Sequence, residues 1–133
     1  GLGDVYKRQV VLLVEDEPAL LELSAKVLSD RGYTVLAAAQ PSEALRLAAA
    51  FADHIDLLIT DVILPEMNGR ELSQRLLEAR PTMKCLYTSG YTADLIGHHG
   101  VLEGDVTLLQ KPWSRPEFVH KVREVLDRDL RKD

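Results

Sequence analysis

The sequence predicts an α/β fold, an open five-stranded parallel sheet with helices on both faces. Three observations carry that expectation. Five short segments rich in β-branched and long aliphatic residues recur along the chain. All but the edge candidates are continuously apolar rather than alternating, the pattern of strands buried on both faces. Stretches with helical periodicity separate them. With Val14, Ala38, Thr60, Thr88 and Leu109 as strand ends, the segments recur at 24, 22, 28 and 21 residues, a rhythm of strand–helix units joined by right-handed crossovers.

The first strand is 10–14. The helical stretch 18–30 after it carries Leu20, Leu21, Leu23, Val27 and Leu28 at three- and four-residue intervals and stops at Gly32, a residue that terminates helices readily. The second strand, 33–38, leads to a helix opened by Pro41-Ser42-Glu43 that turns Ala44, Leu45, Leu47 and Ala48 inward. The third, 56–60, precedes a helix over 69–79 built on Leu72, Leu76 and Leu77 and closed ahead of Pro81. After the fourth strand, 83–88, a helical stretch near 93–99 is weakened by Gly97 and Gly100. The fifth strand, 106–109, is followed by a helix starting near Ser114, with Glu117 placed three residues on for a capping box and Phe118, Val119, Val122, Val125 and Leu126 facing inward. Residues 1–9 share no pattern with the first strand and read as an unstructured lead-in or artefact.

Composition excludes several classes. A chain of 133 residues, 46% hydrophobic and 28% charged, fits one ordinary globular domain. No apolar run approaches the ~20 residues of a membrane span, and no secretory signal opens the chain, so a cytoplasmic protein without membrane insertion is expected. Cys85 is the only cysteine and His54, His98, His99 and His120 lack metal-finger spacing with it. With 16 Lys+Arg against 21 Asp+Glu, a net charge of −5 and no basic stripe, direct nucleic-acid binding is not expected.

Ligands of such sheets bind outside the carboxyl ends of the strands, and the residues there are informative. The first strand runs into Glu15-Asp16-Glu17, and the third into Asp61. Taken singly, the first group suits a helix N-terminus and the second a loop or cap. Taken together, Glu15, Asp16 and Asp61 form a set of hard oxygen donors for a divalent cation, Mg²⁺ or alternatively Mn²⁺, to which the backbone carbonyl of Ile63 could add another. The fourth strand closes with Thr88-Ser89-Gly90, offering hydroxyls beside a glycine that permits close backbone approach. The fifth leads to Lys111-Pro112, whose ammonium can reach the acids. Acids, hydroxyl and ammonium at four strand ends make a phosphoryl-handling site.

The ordered set Val14-Glu15-Asp16-Glu17, Asp61 with Pro65 and Gly69 four and eight residues later, Ser89-Gly90-Tyr91 and Lys111-Pro112 resembles the receiver domain of two-component response regulators. The resemblance covers about 10–126 and is closest to the C-terminal receivers of hybrid sensor histidine kinases. It implies a flavodoxin-like three-layer (βα)5 sandwich of strand order 2-1-3-4-5, with 10–130 as a single receiver domain and 131–133 as a tail. It further implies that Asp61 accepts a phosphoryl group from a phosphohistidine of a sensor kinase, that Glu15 and Asp16 hold Mg²⁺, and that Ser89, with Thr88 as the fallback, and Lys111 contact the phosphoryl group. The implied output is a switch of the face made by the fourth helical stretch and the fifth strand. The implied partners are the kinase and a histidine phosphotransferase, and phosphorylation-dependent dimerisation stays open. Such a domain is not an enzyme beyond its own phosphorylation and dephosphorylation.

Two positions depart from that pattern or modulate it. Leu108 stands where the family usually carries Tyr or Phe, three residues before the lysine. Tyr91 could take over part of that aromatic's role, and Ile63 and Tyr91 flank the route of an attacking water, which should slow loss of the phosphoryl group. The competing reading is a Mg²⁺-dependent phosphatase with Asp61 as nucleophile. It lacks the acid such hydrolases place two residues on, where Ile63 stands here.

Overall fold

A computed structural model describes residues 9–90 and 106–128. Its strands are β1 (Val10–Val14), β2 (Thr34–Ala38), β3 (Leu57–Asp61), β4 (Lys84–Ser89) and β5 (Leu108–Gln110); its helices are α1 (Pro18–Asp30), α2 (Pro41–Ala50), α3 (Gly69–Ala79) and α4 (Arg115–Leu126). The strands form one parallel sheet of order β2-β1-β3-β4-β5. This is the flavodoxin-like arrangement expected. The helical stretch expected near 93–99 and the lead-in up to residue 8 lie outside the described residues.

The strand period of two divides the core. Val10, Leu12 and Val14 of β1 and Leu58 of β3 pack with Ala44 and Ala48 of α2 and Leu72 and Leu76 of α3 on one face. Val11, Leu13, Leu57, Ile59 and Leu86 pack with Val27 and Leu28 of α1 and Phe118, Val122 and Val125 of α4 on the other. Inner strands β1 and β3 are buried at every residue, whereas the edges β2 and β5 are partly exposed. Continuous apolar runs mark the first pair for that reason.

Local signals act as the sequence indicates. Gly32, at φ 95°, closes α1, its N–H donating to the Ser29 carbonyl at 3.0 Å, a left-handed turn that glycine adopts without a Cβ clash. Asn68 caps α3 by accepting the Glu71 N–H at 2.8 Å. Ser114 and Glu117 complete the capping box of α4.

Two expectations are corrected. Leu23 does not point inward: it is 45% exposed, while Ser24 is buried in α1, because the inward face turns through Leu21, Ser24, Val27 and Leu28 at about 100° per residue. The third and fourth strands also extend one residue further than their apolar runs, through Asp61 and Ser89. The parallel ladder is a backbone structure and continues under polar side chains, with Asp61 opposite Thr88 and Ser89 opposite Gln110.

Candidate functional site

The carboxyl edge of the sheet brings four chain segments together. Glu15 still belongs to the ladder, its N–H donating to the Ala38 carbonyl at 3.1 Å, and its side chain turns into the protein, leaving the residue 4% exposed. Its Oε2 accepts the Glu17 N–H at 3.1 Å, just where α1 starts with Pro18 and without a side-chain cap from Glu17. Glu15 therefore serves the helix start and the pocket at once, so the two readings of the acidic run coexist in one residue.

Lys111 closes the other side. Its N–H donates to the Ser89 carbonyl at 2.7 Å, which fixes the residue at the end of β5. Its Nζ donates to Glu15 Oε1 at 2.7 Å and to Asp61 Oδ2 at 2.9 Å. Asp16 is exposed beside them. One carboxylate oxygen each from Glu15, Asp16 and Asp61 falls within 4.8 Å of the others.

Among the described residues the electrostatics at this point are unbalanced, three carboxylates facing one ammonium. Burial raises the Glu15 and Asp61 carboxyls above their ordinary pKa values, against the opposing pull of the Lys111 hydrogen bonds, and repulsion from the neighbouring carboxylate adds to it. Burial disfavours the Lys111 charge too, but hydrogen bonds to Glu15 and Asp61 outweigh that and raise its pKa. A divalent cation would offset the remaining two negative charges, and a set of carboxylate oxygens suits Mg²⁺ chemistry. The donor set therefore fits the ion the sequence implies.

Asp61 is held by its backbone. Val62, next along, donates its N–H to the Thr88 carbonyl at 2.9 Å, and the Gly69 N–H donates to the Val62 carbonyl at 2.7 Å. Gly69 lies so near the Asp61 carbonyl that a Cβ would collide with it, which is the physical need for glycine eight residues after the acid. The loop is anchored from outside as well: the Glu66 carboxylate accepts the Ser42 N–H at 2.8 Å and the Ser42 hydroxyl at 2.9 Å. Ile63 rides on this loop with its side chain 47% exposed; its part in the expected metal set is its backbone carbonyl.

Both candidate hydroxyls are buried. Thr88 sits across from Asp61, and Ser89 one step on, across from Gln110. Gly90 differs from expectation: a Cβ there would meet nothing within 4 Å among the described residues, so the close approach is at Gly69. Tyr91 lies outside the described residues. Leu108 is half-buried and pairs with Tyr87 of β4.

An open cleft of about 420 Å³ adjoins Lys111, lined by Leu20 and Leu23 of α1 and by Pro112 and Trp113. Trp113 stacks on Phe118 at 4.3 Å between ring centroids. Leu23 is exposed because it faces this cleft rather than the core. The sequence reading passed over a buried polar contact between Tyr87 and Ser73 and the Glu66 latch. A tyrosine inside an apolar strand and a serine beside Leu72 were the available signals for the first.

The model of the response regulator receiver domain matches residues 11–123. The chain is 34% identical over 125 residues to the sensor kinase CckA of Brucella abortus, covering 94% of this chain but 13% of that protein. It is 28% identical to the response regulator receiver protein CpdR of the same organism, covering 87% of this chain and 95% of CpdR. Among solved structures, the receiver domain of the hybrid histidine kinase CckA superposes with a TM-score of 0.74 at 36% identity, covering 88% of this chain and 98% of that one. A CheY-like receiver domain protein from Methanospirillum hungatei gives 0.77 at 27% identity, covering 94% and 98%.

Proposed function

Because the chain belongs to the response regulator receiver family and acts as a phosphorelay receiver, we propose that Asp61 is its phosphoryl acceptor and Glu15, Asp16, Asp61 and the Ile63 carbonyl its Mg²⁺ ligands. We take 10–130 as the single receiver domain. The observation that carries the assignment is the shared ammonium of Lys111, which joins Asp61 to Glu15 within a cluster of three carboxylates.

In the reaction, a carboxylate oxygen of Asp61 attacks phosphorus in the phosphohistidine of a sensor kinase. The new O–P bond forms as the P–N bond breaks, and the imidazole leaves with the electron pair and takes a proton. Bound Mg²⁺ supplies charge neutralisation for the phosphoryl oxygens. Lys111, 2.9 Å from Asp61 Oδ2, turns to a phosphoryl oxygen as Asp61 loses its own charge, and the Ser89 hydroxyl donates to another. Positioning and fixed electrostatics supply the acceleration. The cleft beside Lys111 offers Leu20, Leu23 and Trp113 as an apolar seat for the helix that carries the partner's phosphohistidine, on a kinase or a histidine phosphotransferase. We take the chain as a regulatory domain rather than an enzyme. A hydrolase has no observation in its favour, since Ile63 cannot protonate a leaving group.

Among the described residues no helix is long and apolar enough to cross a membrane. The cytoplasmic setting belongs to this proposal, as that is where phosphohistidine donors of this class present their phosphoryl group. The test is incubation with acetyl phosphate and Mg²⁺, read by intact mass. One phosphoryl adduct is expected on the wild type, none on Asp61→Asn, and a larger loss from Ser89→Ala than from Thr88→Ala. No adduct on the wild type would overturn the assignment.

A further inference from the structure

A hydroxyl chain ties β4 to α3 beneath the site. Tyr87 is 2% exposed, and its ring belongs to a cluster with Val62 and Leu108. Its hydroxyl lies 2.6 Å from Ser73 Oγ. Ser73, fully buried in α3, also bonds the Arg70 carbonyl at 2.8 Å. Arg70 Nη1 in turn lies 3.5 Å from the Tyr87 oxygen. The two hydroxyls thus bridge the guanidinium and the carbonyl of Arg70. Packing alone would be satisfied by phenylalanine; the buried hydroxyl is explained by its partner.

Both ends of this chain adjoin the acceptor. Tyr87 is two residues before Ser89 and on the same face of the strand. Val62, beside the ring, follows Asp61 and donates its N–H to the Thr88 carbonyl. At the other end, Arg70 and Ser73 belong to the first two turns of α3, which open with the Gly69 that rests on the Asp61 carbonyl. Leu108, which stands where the family usually carries Tyr or Phe, pairs directly with Tyr87. A ring thus fills that part of the sheet from the adjacent strand, tethered to a helix.

We infer that Tyr87 is a positioning residue: its hydroxyl carries the displacement of the β4 end, produced when Ser89 turns to a phosphoryl group on Asp61, into the first two turns of α3. This rests on Asp61 being the acceptor. The face that reports phosphorylation in this chain therefore includes α3, with the half-buried Arg70 in its first turn.

The test compares wild type, Tyr87→Phe and Ser73→Ala by amide hydrogen exchange, with and without acetyl phosphate and Mg²⁺, at equal phosphorylated fractions set by intact mass. In the wild type, phosphorylation should change exchange in the first two turns of α3 about fivefold, the factor one ordinary hydrogen bond supplies. In both variants that change should collapse while the adduct persists. A purely structural role would alter basal exchange and leave the phosphorylation-dependent difference intact. An unchanged difference in Tyr87→Phe, with adduct present, would overturn this inference alone. Absence of adduct on the wild type would overturn the acceptor assignment and this inference with it.

Discussion

At the amino end of the sheet, Asp56 accepts the Val10 N–H at 2.8 Å and faces His54 Nε2 at 3.2 Å, while Asp53 meets Nδ1 of the same ring at 2.9 Å. At the carboxyl end, Glu15 and Asp61 share the one ammonium of Lys111. The exposed Asp53 has its pKa lowered, chiefly by the His54 backbone N–H and then by the ring, whereas burial raises those of Glu15 and Asp61. Nearby, Arg80 donates to the carbonyls of Ala48, Phe51 and Asp53, so the amino end uses its charges to close backbone that secondary structure leaves open. The carboxyl end keeps carboxylates out of water and short of positive charge. The charges of one end close the fold, and those of the other are gathered in excess around a single ammonium.

Removing Lys111 should sharpen the contrast most. Lys111→Met leaves two buried carboxylates without their partner and should lower the stability of the metal-free protein by about 3 kcal/mol in urea unfolding at pH 7, with Mg²⁺ restoring part of the loss. An unchanged midpoint would mean the pocket is already balanced.

Asp61→Asn should act in the opposite direction. A carboxyl whose folded pKa is raised contributes stability below its unfolded value, here about 3.8, and that contribution is lost as pH rises through the folded value. At neutral pH, metal-free Asp61→Asn should therefore be more stable than wild type, and Mg²⁺ should narrow the gap by stabilising only the wild type. Thermal unfolding between pH 4 and 8, with and without Mg²⁺, reads both effects.

The smallest effect belongs to the amino end and has the reverse sign. Asp53 is lowered from 3.8, so its contribution is present above that value and lost as pH falls through the folded pKa. Asp53→Asn should lose stability at neutral pH, and the difference should vanish in acid. A gain at neutral pH would erase the contrast between the two ends.

Much of the candidate site was legible because its residues fall on strand ends, and strand ends follow from apolar runs. Glu15, Asp61, Ser89 and Lys111 are placed by counting along such segments, and the structure assembles Glu15, Asp61 and Lys111 into direct contact. The boundaries were off by one at Asp61 and Ser89 because hydropathy reports side chains while the ladder is made by backbone. Leu23 misled for a related reason: a leucine at helical spacing looks like core, and only the neighbouring segment at Pro112 and Trp113 shows that it borders a cleft. The contact of Tyr87 with Ser73 could not be read from spacing, since it joins a strand to the helix before it across one face of the sheet.

The most direct measurement of the central claim is the position of the phosphoryl group. After phosphorylation by acetyl phosphate and Mg²⁺, reduction with borohydride converts an aspartyl phosphate to homoserine, which peptide mass spectrometry locates. Conversion at residue 61, abolished by omitting Mg²⁺, is the expected result. Conversion at any other acid, or an adduct that survives in Asp61→Asn, would contradict it.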